Sequence, residues 1–149
     1  MSTDASPLLI TIGGERFAAR LQRDLAPRSC ECLLTLLPYS GSVIHARWSG
    51  EALWSPLAGV FPPDLVIAPE HPTGHPRPGE ILLYAGGTSE PELLIPYGAS
   101  RFACQAGPLE GNPVLRIESA PERLARLGHE ALWRGAMPFS IEGPQASRG

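Results

Sequence analysis

The strongest constraint on this chain is that its apolar residues come in short runs punctuated by glycine and proline. Leu8-Leu9-Ile10-Thr11-Ile12 is a β-rich run closed by Gly13-Gly14, a pair suited to turning a hairpin. The return leg, residues 15–21, alternates Phe17, Ala19 and Leu21 with Arg16, Ala18 and Arg20 and predicts a strand with one buried face. Similar short runs predict a hairpin over 42–54, strands at 79–84 and 93–98, an extended segment at 101–106 and a final strand at 114–118.

Only two segments carry helical spacing. Cys30, Leu33, Leu34 and Leu37 recur at i, i+3, i+4 and i+7, with Asp24 as N-cap, Pro27 in the first turn and Pro38 as the stop. Leu124, Leu127 and Ala131 mark a second helix that runs to about Trp133, with Ser119 and Glu122 as a capping box. Many short strands, few helices and Gly/Pro-rich turns predict a mainly β fold, a closed β-barrel with flanking helices. A chain of 149 residues is long enough for one such domain, expected over 8–142, between a flexible N-terminus at 1–7 and a flexible tail at 143–149.

Composition removes several function classes. A net charge of -3 gives no general attraction for nucleic acid or an anionic membrane. No apolar run approaches the roughly 20 residues of a membrane span, and the first residues lack the basic start and apolar core of a signal peptide. All twelve basic residues are arginine, which leaves no lysine for a Schiff base, a general base or a phosphate loop and hints at a GC-rich bacterial coding sequence. Three cysteines make no disulfide framework, so a cytoplasmic protein with reduced thiols is expected. No metal or cofactor is expected: His71 and His75 stand in a proline-rich loop without a third ligand, and no Gly-x-Gly-x-x-Gly or Gly-x-Ser-x-Gly occurs.

The stretch 42–54 concentrates the chemistry. With a two-residue turn at Ser49-Gly50, Trp48 pairs with Glu51, Arg47 with Ala52, Ala46 with Leu53 and His45 with Trp54. Ile44, Ala46, Trp48, Glu51 and Leu53 would then form a core face, and His45, Arg47, Ala52 and Trp54 the other. A guanidinium that forks to a carboxylate, an indole that stacks and an imidazole that carries a proton suit a small anionic or planar ligand. The plainer alternative is an arginine stacked on Trp54 at an ordinary surface, beside a solvated histidine. Glu90 and Glu92 flank Pro91 and could split their pKa values for acid–base work, or remain solvated loop charges. Tyr84 and Tyr97 lie at or near the ends of the strands that this loop connects, where each could present a hydroxyl to a cavity or close the core with a wet tip.

Four segments also carry a resemblance. Asp24-Leu25-Ala26-Pro27-Arg28 looks like the opening of the first cyclophilin helix, and Gly79-Glu80-Ile81 resembles the Gly-Asp-Ile that begins a middle barrel strand there. Together with Ala46-Arg47-Trp48-Ser49-Gly50-Glu51-Ala52 and Pro96-Tyr97-Gly98, the chain is similar over roughly 8–140 to a bacterial family of small cyclophilin-like proteins of unestablished function. The resemblance implies a closed barrel flanked by helices and no particular activity. Cyclophilins isomerise prolyl bonds with a Phe-His-Arg triplet and a later Phe, Met and Gln group. Here Ile44-His45-Ala46-Arg47 displaces the arginine by one residue, onto the other strand face, and the later group is missing. The leading expectation is therefore a small polar metabolite bound by Arg47, Trp54, Tyr84 and Tyr97, with His45, Glu90 or Glu92 handling any proton. The alternatives are a non-catalytic homo-oligomeric module, with Trp48 or Trp133 at the interface, and a residual prolyl isomerase.

Overall fold

The computed structural model describes residues 7–144. The expected flexible ends fall on residues 1–6 and 145–149, outside the described residues, apart from Pro7, Gly143 and Pro144. Gly13 and Gly14, with φ of +57° and +89°, turn β1 (Leu8–Ile12) into β2 (Glu15–Leu21). Helix α1 (Pro27–Thr35), β3 (Tyr39–His45), β4 (Gly50–Pro56), β5 (Glu80–Tyr84) and β6 (Glu92–Ser100) follow. Then come the short pair β7 (Ala103–Cys104) and β8 (Gly107–Pro108), β9 (Asn112–Ile117), α2 (Pro121–Arg134) and β10 (Met137–Glu142). Eight of the strands close an antiparallel barrel in the order β1-β10-β3-β4-β6-β5-β9-β2.

The core fills the barrel, with Ile10, Phe17, Val43, Leu53, Leu83, Ile95, Leu115 and Phe139 among its buried residues. Each such side chain contributes about 1.5–3 kcal/mol relative to exposure. Helix α1 adds Cys30 and Leu33 to this core, and α2 adds Leu124, Leu127 and Ala131. Burial pushes the Cys30 thiol up to about 11, so it serves as a small apolar group.

Several local expectations are corrected. The chain does not end its strands at Ile117: β10 lies between β1 and β3 and closes the barrel. Its alternation of Met137, Phe139 and Ile141 with Pro138, Ser140 and Glu142 spans only six residues and follows a helix directly, which makes the pattern short to read. Neither helix has the expected side-chain cap. Ala120, in the left-handed region at φ 56°, takes the N-cap position of α2, so Ser119 stands one residue too early for a capping box. At α1 the N-cap is Ala26, and the free N–H groups of Arg28 and Ser29 donate instead to the Glu70 carboxylate, both at 2.9 Å.

Glu70 belongs to residues 57–79, which form no named helix or strand, yet the segment is more than a decoration. Its Leu57 and Phe61 are buried in the barrel core. The Ser29 hydroxyl also donates to Glu70 at 2.8 Å, while buried Asn112 accepts from the Glu70 N–H and donates to Ser29 Oγ and the Ala68 carbonyl. This polar node ties α1, β9 and the long connection together.

Candidate functional site

The middle strands do not alternate simply. Leu53, Ile81, Leu83, Leu93 and Ile95 face the barrel interior, whereas Ala52, Leu82 and Leu94 form a second apolar cluster on the outside with Phe102 and Leu109. Both faces of β4, β5 and β6 are therefore apolar, as happens when a sheet is covered on both sides. The cover is the excursion 101–111, which carries β7 and β8. Buried Ser49 pins it: the Ser49 hydroxyl donates to the Ala103 carbonyl and accepts from the Ala103 N–H, while the Arg101 N–H donates to the Ser49 carbonyl.

The cover is incomplete. Between its tip, the turn 46–49 and the connection 85–91 lies an open cavity of about 620 Å³ over Trp54 and Leu94. Arg47, Trp48 and Ser49 line it from the turn, Thr88, Ser89 and Glu92 from the opposite side, and Cys104 and Gln105 from the excursion.

The turn differs from the expected two-residue form. Ile44 pairs with Trp54 and His45 with Leu53, the Ala46 N–H donates to the Ala52 carbonyl, and the β4–β6 register shifts between Gly50 and Ala52. Gly50 adopts φ 81°, and a Cβ there would lie 2.8 Å from the Ala99 carbonyl oxygen. The extra residue in the turn reverses the expected faces. His45 shares the interior side with Leu53 and is separated from Arg47 and Trp54. Of the expected core face, Leu53 is buried, Ala46 packs on the outer cluster, and Trp48 and Glu51 are exposed.

His45 is held inside by two bonds. Its Nδ1 lies 2.8 Å from the Ala46 carbonyl, which requires Nδ1–H as donor, and Nε2 then accepts from the Tyr97 hydroxyl at 2.7 Å. Tyr97 is buried, its ring edge-on to His45 and His129, and burial followed by the charge of Glu51 pushes its hydroxyl pKa upward. It borders a different cavity of about 380 Å³ beside the start of α2. Tyr84 stands beside the outer cavity rather than on it: its ring packs edge-on to Phe102, its hydroxyl accepts from the Ser89 N–H, and it lines a shallow hollow with Asn112.

The expected carboxylate pair separates as well. Glu90 is exposed, whereas Glu92 faces the cavity and is pushed up to about 7 by burial. Among the described residues neither Glu92 nor Arg47 has a salt-bridge partner. The structure thus brings Arg47, Trp54 and Glu92 to one cavity and leaves His45, Tyr84, Tyr97 and Glu90 outside it. Sequence reasoning did not single out Ser49, Ser89, Cys104 or Gln105, which reach the cavity only through the fold-back of the excursion. Gly107, at φ 133°, opens β8 directly after the two-residue turn at Gln105-Ala106.

The fold and the cavity define a class: a closed eight-stranded antiparallel barrel with an open cavity on its outer wall. Within that class the chain belongs to the family described as protein of unknown function (DUF3830), whose model matches residues 8–142. No curated protein shows a significant match to the sequence. Among solved structures the chain is similar to McbB, determined in complex with tryptophan, with a TM-score of 0.71 at 20% identity. The likeness covers 95% of this chain and 46% of McbB, so it is a likeness of fold with a chain more than twice as long.

Proposed function

We propose that this protein binds a small carboxylate-bearing metabolite with a planar part in the cavity on the outer wall of the barrel. One observation carries the reading: an exposed guanidinium with no ion partner among the described residues stands over a cavity walled by two indoles. Arg47 anchors the carboxylate through forked hydrogen bonds, Trp54 stacks the planar part, and Glu92 handles a proton near neutral pH. That McbB, less than half of which shares this fold, was determined in complex with tryptophan is in keeping with a small planar ligand. His45, Tyr84 and Tyr97 act as supports in this reading, because their polar atoms are engaged elsewhere. Equilibrium dialysis against a panel of indole carboxylates tests it. Arg47→Ala is expected to weaken every observed binder at least roughly tenfold, the scale of a lost charge-assisted bond. Unchanged affinity, or no binder at millimolar concentration, would contradict the proposal.

A cytoplasmic location is inferred from the three free cysteines, Cys30, Cys32 and Cys104. Among the described residues no helix is long and apolar enough to cross a membrane. The finer kinship with cyclophilins rests on the motif resemblance alone. A second reading, a homo-oligomeric module, draws support from Leu132 and Trp133, adjacent on α2 and 53% and 85% exposed. Sedimentation as a strict monomer at high concentration would remove it.

A further inference from the structure

Resting on the proposed site, we infer that the ligand is elongate: a carboxylate at one end meets Arg47, and a protonated amine at the far end of a flat body meets Glu92. Charge spacing along the cavity carries this. Among the described residues that line it, Arg47 and Glu92 are the only charged ones, one of each sign. The strand ladder sets them apart. The Ala46 N–H donates to the Ala52 carbonyl, so the turn that carries Arg47 leaves the sheet level with Ala52. Glu92 pairs with Pro56, four residues further along β4. At about 3.3 Å per residue, the two anchor points lie about 13 Å apart along the strand. Midway stand Trp54 and Leu94, paired with each other and both lining the cavity. No salt bridge joins Arg47 to Glu92 across this gap.

An α-amino acid carries its amine two bonds, about 2.5 Å, from its carboxylate carbon, so it can serve one end only. A plain carboxylate satisfies Arg47 and leaves Glu92 without a partner, and a plain amine leaves Arg47 idle. Two charges separated by one or two rings reach both ends and lay the flat body over Trp54, with no charge left unpaired. The protein supplies Glu92 with no cation of its own. Its strand partners are Tyr84 on β5, whose hydroxyl accepts from the Ser89 N–H, and Pro56 on β4. Burial pushes its carboxyl up to about 7, as expected of an acid without a counter-ion. The cavity volume of about 620 Å³ also suits a molecule larger than a single amino acid.

A length series tests the spacing. L-phenylalanine, 4-(aminomethyl)benzoate and 4′-(aminomethyl)biphenyl-4-carboxylate place no ring, one ring and two rings between amine and carboxylate. 4-Methylbenzoate and 4′-methylbiphenyl-4-carboxylate are the same bodies without the amine. Titration calorimetry at pH 7 reads the affinities. At least one ring-spaced amine is expected to bind roughly tenfold or more tighter than both its methyl counterpart and L-phenylalanine. Glu92→Gln is expected to erase that gain and to leave the methyl compounds bound as before, which also shows that the variant is folded. If the amine brings no gain on either body, if the gain survives in Glu92→Gln, or if L-phenylalanine binds tightest, the elongate ligand is overturned. The carboxylate site then stands as long as Arg47→Ala weakens the binding that is seen. Should no compound bind at millimolar concentration, or should Arg47→Ala leave every affinity unchanged, the site itself falls with it.

Discussion

Glu70 and Glu92 are the same residue type, both half-buried against the barrel, and their carboxyl groups are driven in opposite directions. At Glu70 burial opposes ionisation, but the N–H groups of Arg28 and Ser29, the Ser29 hydroxyl and the Arg28 charge outweigh it and hold the carboxyl below its ordinary range. At Glu92 burial acts alone and raises the carboxyl to about 7. The difference separates two uses of a partly buried acid. Glu70 is completed by the protein and serves the fold as the cap of α1. Glu92 is left for something the protein does not itself contain.

Breaking the Glu70 node is expected to have the largest effect. Asn112→Ala removes the acceptor of the Glu70 N–H and the donor to Ser29 and Ala68. It should cost about 3 kcal/mol in urea unfolding, because buried polar groups lose their partners. Ligand affinity should be untouched in the molecules that remain folded, and a cost below about 1 kcal/mol would deny the node its structural role. Next comes Arg47→Ala, which is expected to lower affinity at least roughly tenfold while leaving stability within about 0.5 kcal/mol, since the side chain is exposed and unpaired. A clear loss of stability instead would make Arg47 a structural residue like those around Glu70.

The pH dependence follows from the two directions. The raised Glu92 carboxyl favours the folded state below its ordinary value of 4.5, and that contribution is lost as pH rises through about 7. Glu70, held low, contributes above its ordinary value, and that contribution is lost on acidification. Glu92→Gln should therefore gain about 1 kcal/mol over the wild type between pH 5 and pH 8, allowing for solvent screening. Urea unfolding at the two pH values measures it, and a difference that does not change with pH would mean that Glu92 is already paired. The smallest effect is expected at Trp133→Ser: unfolding free energy within about 0.5 kcal/mol of the wild type and no change in affinity, since this indole is 85% exposed on α2. A drop in affinity would link that surface to the cavity.

The barrel was legible in the sequence because its outer strands alternate plainly, as Phe17 and Ala19 do against Arg16 and Ala18. β10 was not, because its pattern spans only six residues. The site was half legible. Arg47 and Trp54 meet at one cavity as residue types suggested, but His45 does not join them, since the longer turn at 46–49 and the register shift at Gly50 move it by one face. Strand parity can be read from sequence only when the turn length is known. Glu92 was picked out beside Glu90, yet what distinguishes the two is the burial of Glu92 at the cavity wall, a property of the fold rather than of the Glu-Pro-Glu segment. The contribution of Ser49 and Cys104 depends on the 101–111 excursion folding back over β4, β5 and β6, a long-range contact that no local spacing encodes.

The most direct measurement is the titration of the Glu92 side-chain carboxyl by carbon-detected NMR, with the resonance assigned through Glu92→Gln. A midpoint near 7 is the predicted result. A midpoint near 4.5 would contradict the view that this carboxyl is buried at the cavity without a partner.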